Sequence, residues 1–375
     1  MNTVMDYRKE LLRRILARHN LPAVLFCGGM RENWDSWLTD NTALPIVPPF
    51  GRLNLFIATA KGDVHCLCAE TSHPCDFPHY PLFEPRDFPD LFADGKIGIV
   101  NPECLLKLTR DAIEDAFPGL EYENLTEEFL RAKALRHPEE LARAERAARV
   151  YDRAFSLLPS VLREGQTELQ AAVELRSALG TLGAETVELC EDPHATTIVT
   201  ITSAPDGATG AAEPIPYPGR RLRLGDRVNV TVNGYLAGGF SAALGRCYVL
   251  GEAKPETRDM WALAVRTQDM LADALRPGVT IENAVSAVSR ELPELTGMGS
   301  PGENCVYGIG LSRSEAPRNV DSTRSMPLEE GMTLVIAPKL VLPGKDAYCC
   351  TDVFRVTNSG CERLSRTSRT LAQLY

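Results

Sequence analysis

Histidine is scarce and unevenly placed. Six occur in 375 residues, at His19, His65, His73, His79, His137 and His194, and none follows position 194. Acid–base chemistry in the C-terminal half therefore has no imidazole beyond His194. Long apolar runs are absent too; none approaches the roughly 18 residues that a membrane-spanning helix needs. There is no dense Lys/Arg block and the net charge is −10, which argues against nucleic acid or an anionic membrane as partner. The opening Met1–Asp6 lacks the apolar region of a secretory signal. The eleven cysteines are odd in number and irregular in spacing, and Cys27, Cys66, Cys68 and Cys247 sit inside apolar runs. That pattern predicts reduced, buried thiols in a cytoplasmic protein. Cys66-Leu67-Cys68 has no second pair at zinc-site spacing.

What is present describes a globular protein, with 44% hydrophobic and 24% charged residues, long enough for two domains. The most informative stretch is 225–246. Gly225-Asp226 gives a turn, then Val228, Val230 and Val232 alternate with Asn229, Thr231 and Asn233. Period two predicts a strand with one apolar and one polar face. An Asn/Thr/Asn face on an inner strand needs partners.

Before it, residues 6–18 read as a helix, 22–27 as a buried strand, 53–58 and 63–69 as a hairpin, and 73–89 as a Pro-rich loop. A strand at 96–100 and a helix from about 104 to 117 complete a small α/β domain, assigned to 1–131. A second domain, 132–375, opens with a long helix from Pro138 to about Leu162, with Leu141, Ala144, Ala148 and Tyr151 on one side. Gly165 ends it, and Thr167 is placed to cap the next helix. The punctuation recurs 113 residues on (278 − 165) at Gly278-Val279-Thr280, between helices near 256–275 and 281–291. The strand openers repeat as well, Gly225-Asp226-Arg227-Val228 and Gly331-Met332-Thr333-Leu334. The pattern predicts an internal duplication, with a pocket where the two halves share a sheet.

Lys133-Ala134-Leu135-Arg136-His137-Pro138-Glu139-Glu140, the Tyr307–Pro317 segment with Gly308-Ile309-Gly310-Leu311 and Glu315, and Leu328–Pro338 with Gly331-Met332 and Pro338 together resemble the creatinase/prolidase/aminopeptidase-P/methionine-aminopeptidase family. The resemblance implies an α/β (α+β) architecture: a small creatinase-like N-terminal domain and a C-terminal "pita-bread" domain with pseudo-two-fold duplication. It further implies a homodimer, in which the partner's first domain closes the pocket; Trp34 and Trp37 read as core or as part of that closure.

The family's hydrolases hold two divalent metals with two Asp, one His and two Glu. By this resemblance those five places fall on Thr231, Ala242, Tyr307, Ala337 and Thr351. Thr, Ala and Tyr do not replace carboxylates and imidazole around hard cations, so no metal and no other cofactor is expected. Creatinase's own groups are changed too. Its substrate-binding His falls near Glu213, the second His of the His-Gly motif on Ser314, and its Glu two places past the second Asp on Leu244.

Strand parity predicts what lines the pocket. With Thr231 go Asn229 and Asn233; with Ala337 go Val335 and Lys339; with Thr351 go Cys349 and Val353, while Cys350 and Asp352 point away. Arg246 follows Ala242 to the rim. The cage becomes neutral to positive, which favours a small anionic substrate held by amides, hydroxyls and a cation. The expected substrate-binding residues are Asn229, Thr231, Asn233, Arg246, Lys339 and Thr351. Tyr307 either fills space or donates a proton; Cys349 is either a small buried residue or a nucleophile. Glu213 is either a solvated loop residue or a general base, and His194 either caps a loop or does acid–base work. Glu315 is read as holding a loop. Two functions remain open: a metal-independent hydrolase, lyase or cyclase, and an inactive peptidase homologue that binds a peptide, metabolite or protein.

Overall fold

The computed structural model describes residues 3–28, 32, 34–40, 55–66, 92, 95–182, 197–206, 220–236, 240–292, 305–341 and 347–375. The chain divides into two compact units. The first contains Met1–Lys133, the second the described residues of Ala134–Glu188 and Thr196–Tyr375.

In the first unit α1 (Val4–His19) is capped by Thr3, whose side chain accepts from the Asp6 N–H. β1 (Ala23–Cys27) is the central strand, fully buried as its unbroken apolar run requires. α2 (Trp34–Thr39), the hairpin β2 (Leu55–Thr59) and β3 (Val64–Cys66), and β4 (Lys96–Val100) follow. α3 (Lys107–Ala116), β5 (Glu121–Asn124) and α4 (Thr126–Ala134) complete the unit. The sheet order is β3-β2-β1-β4-β5, with β1, β4 and β5 parallel and the hairpin antiparallel. Trp34 and Trp37 are core residues of this unit, packed on Phe26 and Phe129. The expected 73–89 loop lies outside the described residues.

The second unit opens with α5 (Pro138–Ser156) and the single turn α6 (Leu158–Val161). The long helix expected to reach Leu162 thus breaks after Ser156, because Pro159 supplies no N–H and crowds the carbonyl of Phe155. α7 (Glu168–Thr181), β6 (Ile198–Pro205), β7 (Asp226–Leu236) and β8 (Phe240–Leu250) form the first half with α5. α8 (Pro255–Ala274), α9 (Ile281–Glu291), β9 (Val306–Gly308), β10 (Glu315–Arg318) and β11 (Thr333–Ile336) begin the second. β12 (Lys339–Val341), β13 (Ala347–Cys349), β14 (Asp352–Thr357), β15 (Gly360–Arg363) and β16 (Ala372–Leu374) end the chain.

The duplication is visible bond for bond. Gly165 and Gly278 both have positive φ, +82° and +84°, as do the strand openers Gly225 and Gly331, +84° and +88°. The Gly165 N–H donates to Leu222 O and the Gly278 N–H to Leu328 O; Leu222 returns a bond to Gln166 O and Leu328 one to Val279 O. Thr167 and Thr280 each cap the following helix. The halves contribute the sheets β16-β8-β7-β6 and β10-β9-β11-β14-β15. They meet at a reciprocal pair of backbone bonds, Gly245 N–H to Thr351 O at 3.0 Å and Thr351 N–H to Gly245 O at 3.3 Å.

Candidate functional site

The β7–β8 register sets the floor of the site. Asn229 pairs with Cys247, Thr231 with Gly245 and Asn233 with Ala243; Val230 pairs with Arg246 and Val232 with Leu244. Residues paired across an antiparallel ladder share a face. The polar stripe therefore faces the same way as Ala243 and Gly245, whereas Ala242, Leu244 and Arg246 go with the buried valines. This corrects the placing of the second acidic position on Ala242: an even separation from Thr231 is needed across this hairpin to land on its own face, and Ala243 is the residue that does so. By the same shift creatinase's Glu corresponds to Gly245 rather than Leu244.

The second half supplies the other wall. Tyr307 pairs with Val335 and Val335 with Val353, and all three pack into the same core as the β7 valines, with Ala337 against it. Leu334, Ile336 and Cys350 belong to a separate core. Asn233 donates from Nδ2 to the Tyr307 hydroxyl at 3.2 Å. Cys349 Sγ lies 3.2 Å from Thr351 Oγ1. At Gly245 an added Cβ would meet Thr351 Oγ1 at 2.9 Å and Thr231 Oγ1 at 3.4 Å, so the two threonines stand on either side of that bare backbone. The structure thus brings Thr231, Asn233, Tyr307, Cys349 and Thr351 together. Asn229 shares their face, half-buried. Lys339 is half-buried and sits across the β12–β13 ladder from Cys349.

Arg246 is not at the rim. It is 3% exposed and every donor is engaged: two bonds to Asp352 at 3.1 and 2.7 Å, and others to the carbonyls of Gly245, Thr351, Thr367 and Ser368. Asp352 also accepts from Ser365. This is a buried structural ion pair beneath the strand joint, and it removes Arg246 from the substrate-binding set. Parity misplaced it because the true site position, 243, is odd while 246 is even. Cys350 lies on that far face beside Arg246 and Gln268, and burial pushes its thiol up so that it stays protonated. Glu315 accepts from Arg136 and from the Ser312 N–H, fixing the β9–β10 loop. Glu213 and His194 lie outside the described residues.

Burial raises the Tyr307 phenol well above the usual range, with Cys349 adding to the rise and the Arg313 guanidinium opposing it. Tyr307 is therefore a hydrogen-bond donor across the neutral range and no base. Arg313 was not singled out in the sequence; its place in the Leu311–Glu315 loop was the only clue. His137, the described histidine of the second unit, caps α5. Among the described residues no group of three or more His, Cys, Asp or Glu could hold a metal. At the five places in question stand two hydroxyls, one phenol and two methyl groups, a donor set that does not fit a pair of divalent ions.

Comparison with known proteins agrees with this architecture. The sequence profile of metallopeptidase family M24 matches residues 142–358. A probable dipeptidase PepE of Mycobacterium tuberculosis is 28% identical over 280 residues, covering 72% of this chain and 71% of the relative. The Xaa-Pro dipeptidase of Pyrococcus furiosus is 24% identical over 255 residues, 67% of this chain and 68% of that protein. Among solved structures, dipeptidase PepE from Mycobacterium ulcerans superposes with a TM-score of 0.78 at 21% identity, covering 99% of this chain and 98% of that one. The X-Pro aminopeptidase from Thermotoga maritima does so with 0.78 at 19%, covering 98% and 99%.

Proposed function

The chain belongs to metallopeptidase family M24 and has its pita-bread fold, and from that membership we propose that it is a metal-independent member. In this reading it is a hydrolase, lyase or cyclase of creatinase type, acting on a C–N bond of a small anionic amino-acid-derived metabolite. One observation carries it. The family's site is built, with both halves present and joined at Gly245 and Thr351, while Thr231, Ala243, Tyr307, Ala337 and Thr351 occupy it and Asn233 is hydrogen-bonded to Tyr307. Loss of carboxylates from those five places removes their negative charge, and Lys339 lies across the β12–β13 ladder from Cys349. Tyr307, kept protonated by burial, is suited to donating to an oxygen that gains negative charge during reaction.

The deciding experiment is metal analysis of the purified protein alongside dipeptidase assays with and without chelator. The expected result is no stoichiometric Mn, Co, Zn or Fe and no chelator-sensitive hydrolysis of Xaa-Pro dipeptides. Two bound equivalents supporting such hydrolysis would overturn the proposal. Binding of small carboxylates without turnover would point to the inactive-homologue alternative.

A further inference from the structure

Cys349 has the surroundings of a nucleophile. Its Sγ donates to Ala337 O at 3.8 Å and lies 3.2 Å from Thr351 Oγ1. With the thiol proton directed at the carbonyl, the Thr351 hydroxyl is the donor into the sulfur. Thr351 is 2% exposed and its backbone is tied to Gly245 by the reciprocal pair of bonds, so that donor is held in place. Lys339 pairs with Cys349 across the β12–β13 ladder. Directly paired residues have Cβ atoms about 5 Å apart, within reach of an ammonium on a flexible stem. Both side chains are half-buried, so they are open to a small molecule and their interaction is only partly screened. Other thiols of the second unit are held protonated: burial pushes Cys305 and Cys361 up to about 12. A separate feature points to a ligand. Ser241 and Asn233 lie on the face of the β7–β8 ladder that carries Thr231 and Gly245. Ser241 Oγ and Asn233 Oδ1 are buried with no hydrogen-bond partner, and Ser241 is 1% exposed. Buried polar atoms are ordinarily satisfied, so two orphans on the pocket face mark a surface that takes up polar groups.

We infer that Cys349 is the nucleophile of the proposed C–N bond cleavage, with Lys339 as its proton partner and an amide as the bond attacked. The inference rests on the reading of the pocket as a metal-independent C–N site, and it selects hydrolysis through a thioester. The reactive form is the thiolate, favoured by the neighbouring cation and by the Thr351 donor. The sulfur attacks the amide carbon, a C–S bond forms, and the carbonyl π pair moves onto oxygen, where the Tyr307 hydroxyl donates a hydrogen bond. The C=O bond re-forms, the C–N bond breaks, and the Lys339 ammonium gives its proton to the leaving amine. Water then passes a proton to the neutral Lys339 amine as its oxygen adds to the thioester carbon. The C–S bond breaks, and thiolate and ammonium are restored. One amide and one water give one carboxylic acid and one amine.

The test uses the full chain and p-nitrophenyl acetate, whose acyl transfer to a thiol releases coloured p-nitrophenolate. The expected result is a burst of about one equivalent per chain, with one acetyl group found on Cys349 by peptide mass spectrometry. Cys349→Ala should lose the burst at an unchanged melting temperature. Alkylation by iodoacetamide reads the thiolate directly, with Cys361, also half-buried, as the internal reference. Lys339→Gln should slow alkylation of Cys349 at neutral pH roughly 10-fold and move its pH profile upward, a change that a merely structural lysine would not make. Lys339→Arg should keep the fast rate, since alkylation needs only the charge. A burst that survives Cys349→Ala, or alkylation of Cys349 no faster than that of Cys361, overturns the nucleophile. Neither outcome bears on the metal analysis, so this step and the proposed function fail separately.

Discussion

Arg246 and Asp352 illustrate how much one residue's face decides. Their side chains are 3% and 0% exposed and form a bidentate pair directly under the Gly245–Thr351 joint. Removing one partner leaves an uncompensated buried charge, so Asp352→Asn is expected to cost about 3–5 kcal/mol, read from urea unfolding, whereas Lys339→Ala should change stability by less than about 1 kcal/mol. A small effect at Asp352 would return Arg246 to the pool of binding residues. The sequence exposed the charges but not their pairing: they lie 106 positions apart, and period-two reasoning on β8 was anchored one residue off.

At the scale of elements, the joint between the two half-sheets is steric as well as hydrogen-bonded. Gly245→Ala would place a methyl 2.9 Å from Thr351 Oγ1 and 3.0 Å from its Cβ. The expected cost is about 1–3 kcal/mol, with Thr351→Gly in the same chain recovering most of it; thermal melts of the single and double variants check this. In the first unit, α1 ends on an ion cluster. His19 lies within 2.6 Å of Glu128, bonds Glu123 as well, and those carboxylates also meet Arg18 and Lys96. Burial by itself lowers the His19 pKa, but the bonds to Glu128 and Glu123 outweigh it and the result is raised. The charged form is thus favoured on folding: its contribution is fully present below the ordinary value of 6.5 and fades as pH rises through the raised one. His19→Gln should flatten the fall of stability as pH rises through and above the ordinary histidine value of 6.5; identical slopes in variant and parent would remove His19 as the source. Most of the elements were legible from periodicity and caps, because Gly165, Thr167, Gly278 and Thr280 are local signals. The break after Ser156 was missed, although Pro159 stated it.

For the whole molecule, the strongest expectation concerns what the fold could regain. Thr231→Asp, Ala243→Asp, Tyr307→His, Ala337→Glu and Thr351→Glu together would restore the donor set of a two-metal site. The combined variant should be less stable than the parent without metal, from crowding of buried carboxylates, and should gain about 2.7 kcal/mol at a Mn(II) concentration 100 times its Kd. The parent's melting temperature should not respond to Mn(II) or to chelator. Using Ala242→Asp in place of Ala243→Asp should abolish the metal-dependent gain, because that side chain joins the valine face. Equal rescue by either change would contradict the ladder register.

By itself, the sequence determined the duplication and the alternating strand at its centre, because turns, caps and side-chain period are local properties. The family resemblance placed Tyr307 and Thr351 among the candidates, and parity along single strands added Asn233 and Cys349. Only the tertiary structure decided which of two adjacent alanines faces the pocket, that Arg246 belongs to a buried ion pair, and that the Gly310 loop docks on Ser241 at the start of β8. Those are facts of register between strands and of a loop docking on a distant β8, and pairing partners far apart in the chain leave no mark on the local pattern of either.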